Sequence, residues 1–401
     1  TQEETGISIG NITLLGKRRY TAPSGRRYLM YDFTAQAVTT SVEINHESMA
    51  SEWTAPINIE PSECTTSTLD GLDKYLHINE IIKGTSDGRL SRFEPLGDQL
   101  HATGALEKAY IEKKMSNYLW ALKARPKKVV IHGTLPFQVA ISSLLPHGEN
   151  IDGKSEYVAK DRNSNALRPS SVLDADSQTL HLLNFPGDDI LRHDALLFSK
   201  HLGSAPCEIN IVRYPERDKN LFRLTGLTNQ IVHSRDIVYL GYSTRLKEYL
   251  LAKSVELISM VESFWYISSR FRVGESVLNV LECKYGHWGD ISADLSQELC
   301  KLGAKAIIHN GKVGTFVSQS EVYSRVYIPN RFTIYHPQEN KVFTVPIDND
   351  LSSFIPFQSG IHISCSTPLD ETSQFLDIAK NRYTETVDIE SSKIAEAIMN
   401  Y

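Results

Sequence analysis

The chain has 401 residues, enough for about two to three domains. Hydrophobic residues make up 41% and charged residues 22%, ordinary proportions for a chain that buries a sizeable core. The balance of 42 basic against 48 acidic residues, a net of -6, argues against a protein that generally coats nucleic acid.

Five scattered cysteines without a CxxC pair read as free thiols in a reducing compartment. No apolar run reaches the ~18 residues that a membrane-spanning helix needs. No leader segment is recognised at the start, and the expected location is intracellular and cytoplasmic. Because the chain begins with Thr1, it is read as processed, trimmed or one piece of something larger.

In chain order, Ile12 to Val42 is rich in β-prone residues, and Ala22-Pro23-Ser24-Gly25 marks a hairpin turn within it. The spacing of Leu106, Tyr110, Tyr118, Leu119 and Leu122 predicts a helix that Arg125-Pro126 stops. Residues 1–120 therefore form a β-rich region with a closing helix, and no family signature is found there.

A middle α/β region spans residues 121–235. Lys128 to Gly133 is a buried strand, Gln138 to Leu145 a helix, and residues 148–178 a long polar loop. A strand at Leu180–Leu183, a helix around Asp189–Leu202 and a strand at Glu208–Val212 follow. His132-Gly133-Thr134 reads better as a structural histidine than as a ligand turn. Pro186-Gly187-Asp188-Asp189 reads better as a helix cap than as a metal site. No zinc pattern or nucleophile motif stands out.

The alternation is clearest in residues 236–401. Strands are predicted at Asp236–Leu240, Phe264–Arg272, Val277–Lys284, Ala306–His309, Val322–Ile328 and Gly360–Ser364. Helices are predicted at Thr244–Met260, Asp290–Leu302 and Ser391–Asn400. Three turns draw the eye, because open α/β sheets bind ligands at the carboxyl ends of their strands.

In the first turn, a strand enters Gly241 and a helix follows with Arg245. The glycine lets backbone N–H groups approach an anion, the helix N-terminus adds partial positive charge, and arginine can grip phosphate bidentately. In the second, His309-Asn310-Gly311-Lys312-Val313-Gly314-Thr315 offers two glycines, with Lys312 and His309 as sources of positive charge. It lacks the spacing of a Walker loop. In the third, Val387-Asp388-Ile389-Glu390-Ser391-Ser392 places a carboxylate at a helix start, where it can cap the helix or accept two vicinal ribose hydroxyls. Read singly, each is also an ordinary turn.

Together and in this order, the three turns resemble the purine nucleoside phosphorylase, uridine phosphorylase and methylthioadenosine nucleosidase superfamily. The G-x-x-x-R turn of Gly241 to Arg245 is similar to that family's opening. Glu298-Leu299 followed by Gly303-Ala304-Lys305-Ala306-Ile307-Ile308-His309-Asn310-Gly311-Lys312-Val313-Gly314 is similar to its centre. Val387-Asp388-Ile389-Glu390 is similar to its V-[DE]-M-E signature.

The resemblance implies a phosphorylase-like mixed sheet flanked by helices, preceded by the α/β region and the β-rich region. It implies phosphate binding by Gly241, Arg245, His309 and Lys312, and ribose binding by Glu390, with Asp388 and Ile389 lining the pocket. Ser364, Ser366 and Thr367 fall on the base side. The implied ligands are a nucleoside or nucleotide, with inorganic phosphate as co-substrate and no other cofactor or metal, in a homo-oligomer.

The sequence departs from the family at Ile389, where methionine is usual, and at Lys312, where a small hydroxyl residue is usual. The strand and acid that protonate the leaving base in that family would lie beyond Tyr401, so no catalytic residue is assigned. Two roles are thus implied: cleavage of an N-glycosidic bond, or a module that binds or assembles without turnover.

Overall fold

The structure, a computed structural model, describes residues 9–21, 27–37, 89–94, 104–123, 125–133, 151–152, 170–174, 177–184, 186–203, 205–214, 221–263, 265–283, 287–316, 326–347, 349 and 360–401. The chain divides into two compact units, one of residues 1–86 with 138–146 and one of residues 87–137 with 147–401. In the first unit, β1 (Ile9–Thr21) and β2 (Arg27–Ala37) pair antiparallel on either side of the expected turn. The predicted helix at Gln138–Leu145 lies outside the described residues.

The second unit is mixed α/β. Its amino-terminal part is a six-stranded sheet in the order β3-β8-β4-β7-β6-β5. The strands are β3 (Arg89–Arg92), β4 (Lys128–Gly133), β5 (Ile151–Asp152), β6 (Ser170–Asp174), β7 (Thr179–Asn184) and β8 (Glu208–Arg213). β4 runs parallel to both β7 and β8, and Val129, Ile131, Leu180 and Leu182 are fully buried, as a parallel core strand requires.

Helix α1 (Gly104–Met115), α2 (Leu119–Leu122) and α3 (Asp188–Leu202) belong to this part. The α3 stripe of Leu191, Ala195 and Phe198 closes the core together with Met115 of α1. The polar segment expected to be a loop over residues 148–178 contains β5 and β6. All five residues of β6 pair with β7, so local polarity gave way to strand pairing. A one-turn helix α4 (Leu221–Leu224) leads into the rest of the chain.

The final part contains two five-stranded sheets rather than the single mixed sheet expected. The first has the order β10-β11-β12-β9-β13 and uses β9 (Ile237–Gly241), β10 (Leu257–Glu262), β11 (Tyr266–Val273), β12 (Ser276–Cys283) and β13 (Ala306–Asn310). The second has the order β14-β18-β17-β15-β16 and uses β14 (Gly314–Thr315), β15 (Arg331–His336), β16 (Lys341–Val345), β17 (Ile361–Ser364) and β18 (Thr384–Asp388). Residues 311–313 alone separate β13 from β14, so one nearly continuous stretch of chain passes from the first sheet to the second.

Helices α5 (Ser243–Ala252), α6 (Asp290–Lys301), α7 (Ser373–Asn381) and α8 (Ser391–Met399) complete this part. The helix expected from Thr244 to Met260 ends at Ala252. Ser254 takes a left-handed φ of 54°, and the residues beyond it pair with β11 as β10. The expected strand at Val322–Ile328 lies largely outside the described residues.

The parallel pair β9 and β13 is pressed together at its carboxyl end, where Gly241 sits opposite Asn310. Gly241 has φ 112°, and a Cβ there would collide with the Asn310 carbonyl. Gly241→Ala is therefore expected to cost at least about 1–3 kcal/mol, from overpacking added to a left-handed backbone. Urea unfolding measures it, and an unchanged midpoint would show that this close approach is absent.

Candidate functional site

The carboxyl ends of the parallel strands in both sheets carry the residues of interest. On the first sheet, β9 ends at Gly241 and α5 starts two residues later. Arg245 is exposed on the first turn of α5, and among the described residues it forms no ion pair. The cation of this turn that is engaged is Lys247, which pairs with the buried Glu282 at the end of β12. Thr244 points the same way, 3.5 Å from that carboxylate. The exposed Lys312 of the connecting turn lies 5.8 Å from the ring centre of Tyr242, which ties the turn after β13 to the turn after β9.

His309, near the end of β13, is half-buried. Burial holds its imidazole below the ordinary histidine range, although Asp388 pulls the other way. It is therefore neutral at pH 7 and enters the site as a hydrogen-bonding group rather than as the cation expected from sequence. Its ring stands 6.4 Å from that of His287, which burial pushes down to about 4. The Nδ1 atom of His287 is buried without a hydrogen-bond partner among the described residues.

On the second sheet, the buried carboxylate of Asp388 collects donors at the end of β18. Its Oδ1 accepts from Ser364 Oγ at 2.6 Å and from the Glu390 amide at 3.1 Å, and it lies 2.8 Å from His362 Nε2. The Ser391 amide lies 3.1 Å from both oxygens, and the Ser391 hydroxyl donates to Oδ2. Burial alone would raise this carboxyl, but the facing His362 and the hydrogen bonds from His362, Ser364 and Ser391 hold it far below the carboxylate range. Asp388 is thus committed to capping α8 and does not line an open pocket.

Ser391 links the two sheets. Its Oγ lies 3.4 Å from His309 Nδ1. Because this hydroxyl gives its proton to Asp388, it presents a lone pair to His309. That arrangement favours the Nδ1–H tautomer and leaves Nε2 free to accept.

Glu390, the residue before Ser391, is half-buried, with its carboxyl pushed well above the usual range by desolvation and then by the charge of Asp388. Ile389 is partly buried and packs against the cluster of Tyr335, Ile363, Cys365, Phe375 and Val387.

The segment expected on the base side is also engaged. Ser364 accepts from the Ser392 amide at 2.9 Å in addition to serving Asp388. The Ser366 carbonyl accepts from Trp288 Nε1 at 3.3 Å. Thr367 caps the short turn that follows it and meets His193 Nδ1 of α3 at 2.7 Å. His193 is buried and pushed down to about 3, first by desolvation, so it acts as a neutral partner.

Other contacts hold α3 to this side of the molecule. Arg192 grips Asp370 with two bonds of 2.7 Å, and Lys393 of α8 pairs with Asp189. His132 is bonded on both ring nitrogens, to Tyr214 at 2.8 Å and His181 at 2.9 Å.

Sequence reading gave no role to Ser391, His287, Lys247 or His362. Ser391 stood inside a recognised turn and Lys247 two residues beyond another, and their hydrogen-bonding side chains were the available signal. His362 lies mid-strand with no motif around it.

Removing the Asp388 carboxylate leaves His362, Ser364 and the α8 amides without their partner. Asp388→Ala is expected to cost about 3–5 kcal/mol, the usual penalty for breaking a buried pair. Because the folded carboxyl lies below its unfolded value of about 3.9, this contribution is present above that value and is lost as the pH falls through the acid range. Acid unfolding followed by circular dichroism should show the wild type losing stability below about pH 4 and the variant losing less of it. Parallel acid limbs would contradict the assignment.

No family model matches the chain. A curated relative, the oxidoreductase Cns1 of Cordyceps militaris, is 25% identical over 256 residues, which are 58% of this chain and 32% of that protein. The chain thus spans about a third of that relative's length. A futalosine hydrolase mutant from Helicobacter pylori aligns at 8% identity over 42% of this chain and 85% of its own, with a TM-score of 0.33. Uridine phosphorylase from Vibrio fischeri aligns at 13% identity over 42% of this chain and 73% of its own, with a TM-score of 0.34. Purine nucleoside phosphorylase from Toxoplasma gondii aligns at 16% identity over 43% of this chain and 74% of its own, with a TM-score of 0.33.

Proposed function

We propose that the chain binds a nucleoside-type ligand, together with phosphate, where the carboxyl ends of its two five-stranded sheets meet. The observation that carries this reading is the contact between His309 and Ser391. In the strand register, His309 stands beside Leu240, and Asn310 stands beside Gly241. Ser391 follows Glu390 directly. One hydrogen bond therefore joins His309 of the first sheet to Ser391, the residue after Glu390, in the second.

In this reading, Gly241 and the α5 amino terminus approach the phosphate, and Arg245 and Lys312 supply the positive charge. His309 contributes a neutral hydrogen bond. Glu390 faces the sugar hydroxyls. The two oxygens of a carboxyl group there can accept from both hydroxyls of a vicinal pair. Asp388 and Ser391 are positioning residues that set the helix start from which Glu390 projects.

If the bound nucleoside is cleaved, the exposed cations favour phosphate over water as the attacking group, because water needs no cationic cradle. A second reading, a module that binds without turnover, is favoured by the commitment of Ser364, Ser366 and Thr367 to structural bonds.

Isothermal calorimetry with adenosine and with uridine, each with and without inorganic phosphate, tests the proposal. Saturable binding strengthened by phosphate is expected. Glu390→Ala should weaken nucleoside binding by about 10- to 100-fold, the worth of one or two hydrogen bonds to a carboxyl group. Arg245→Ala should remove the phosphate enhancement. Chromatographic detection of free base then separates turnover from binding alone. Absence of binding by the wild type, or variants that bind like it, would rule the site out.

A further inference from the structure

Two helices meet amino end to amino end beside the edge already described. Gly187 precedes α3 and Gly289 precedes α6. A Cβ on Gly187 would stand 2.5 Å from Ile291 Cγ1 and 2.7 Å from Asp290 Oδ1, and one on Gly289 would overlap the Asp189 carboxylate. Only glycines at both positions let the helices abut.

Each helix then caps the other. Asp290 accepts from the Asp188 amide at 2.6 Å and from the Asp189 amide at 3.4 Å. Asp189 accepts from the Asp290 amide at 2.9 Å. The caps join positions about a hundred residues apart in sequence, so they tie the six-stranded part to the two-sheet part.

The charges do not balance. Asp188, Asp189 and the neighbouring Arg192 come from α3, Asp290 and Asp294 from α6, Lys393 from α8, Glu390 from the position before α8, Arg213 from the end of β8, and Asp370 from the turn before α7. Arg192 is taken by Asp370, and Arg213 pairs with the exposed carboxylate of Asp188. Among the described residues, Lys393 is the ammonium left for Asp189 and Asp290, and it also lies 3.5 Å from Ser366 Oγ.

We propose that this junction is a proton-operated clasp, in which a proton held by Asp290, where the two helix starts bring it against Asp189, keeps α3 against α6 and its loss at higher pH loosens them. Burial, and then the charge of Asp189, pushes the Asp290 carboxyl up to about 7. The clasp belongs to no part of the nucleoside reading, although Lys393 rides on the helix that begins beside Glu390.

The sign follows from proton linkage. An acid whose folded value lies above its unfolded value binds an extra proton when folded, so its stabilisation is greatest in acid. That stabilisation is lost as the pH climbs from about 4 towards 7. Asp194 and Glu371, each pushed up to about 7 chiefly by burial, contribute in the same direction, so the difference between variants isolates the clasp.

Thermal unfolding of the full chain between pH 5 and pH 9 tests the proposal. Asp290→Asn, which is neutral at every pH, should gain several degrees relative to wild type on going from pH 5 to pH 8. Gly289→Ala, whose Cβ overlaps the Asp189 carboxylate and wedges the helices apart, should lower the melting temperature most in acid and so flatten its pH dependence. Lys393→Met should move the midpoint of the pH-dependent loss upward, because the remaining carboxyls hold their proton more tightly without the ammonium. If Asp290→Asn does not fold, the Lys393→Met midpoint decides. A constant offset for Asp290→Asn, or an unmoved midpoint for Lys393→Met, would overturn the clasp.

Discussion

The buried carboxylate of Asp388 organises the carboxyl end of the second five-stranded sheet. It stands at the end of β18 and receives hydroxyl donors from Ser364 and Ser391, backbone amides from Glu390 and Ser391, and the ring of His362. A charge in the interior is tolerable only when its lone pairs are filled in this way. Because the donors come from β17, α8 and the first residues after β18, filling them fixes where α8 starts. Thr386 extends the network by meeting His362 Nδ1 at 2.8 Å.

From that anchor the constraint passes outward. Ser391 faces Asp388 on one side and His309 on the other, so the second sheet controls the tautomer and orientation of a ring on the first. The short connection 311–313 makes the two sheets parts of one bent ribbon, and the Gly241–Asn310 apposition locks the next strand to it. Two sheet edges are thereby joined into one. The α3 side of the molecule adds a further brace through Arg192–Asp370 and His193–Thr367, whose bonds hold the segment after β17. These contacts keep Thr367 in structural service, and ligand contacts in the proposed site fall to Glu390, Arg245, Lys312 and His309.

Sequence reading captured the elements whose signal is local. The buried run Ile237-Val238-Tyr239-Leu240, the caps of α6 and the strand Ala306–His309 were legible because apolar runs and glycine turns bound them. The first four residues of β10, Leu257 to Met260, were read as the end of a helix because an apolar stripe runs through that stretch. The break is a left-handed Ser254, which no glycine or proline announces. The hairpin of β15 and β16 went unread, although Asn340, with φ 51°, stands at its turn. In the site, residue type pointed to charge and hydroxyl groups but not to who consumes them. That depends on pairs such as Asp388 with His362 and Lys247 with Glu282, which only the packed sheets bring together.

The claim on which the rest stands is that the two sheets communicate through His309 and Ser391. A double-mutant cycle on folding stability, with His309→Ala, Ser391→Ala and the pair, measures that link directly. The account predicts a coupling of about 0.5 kcal/mol or more, as for contacting residues in one hydrogen-bonded network. Strict additivity of the two substitutions would contradict it.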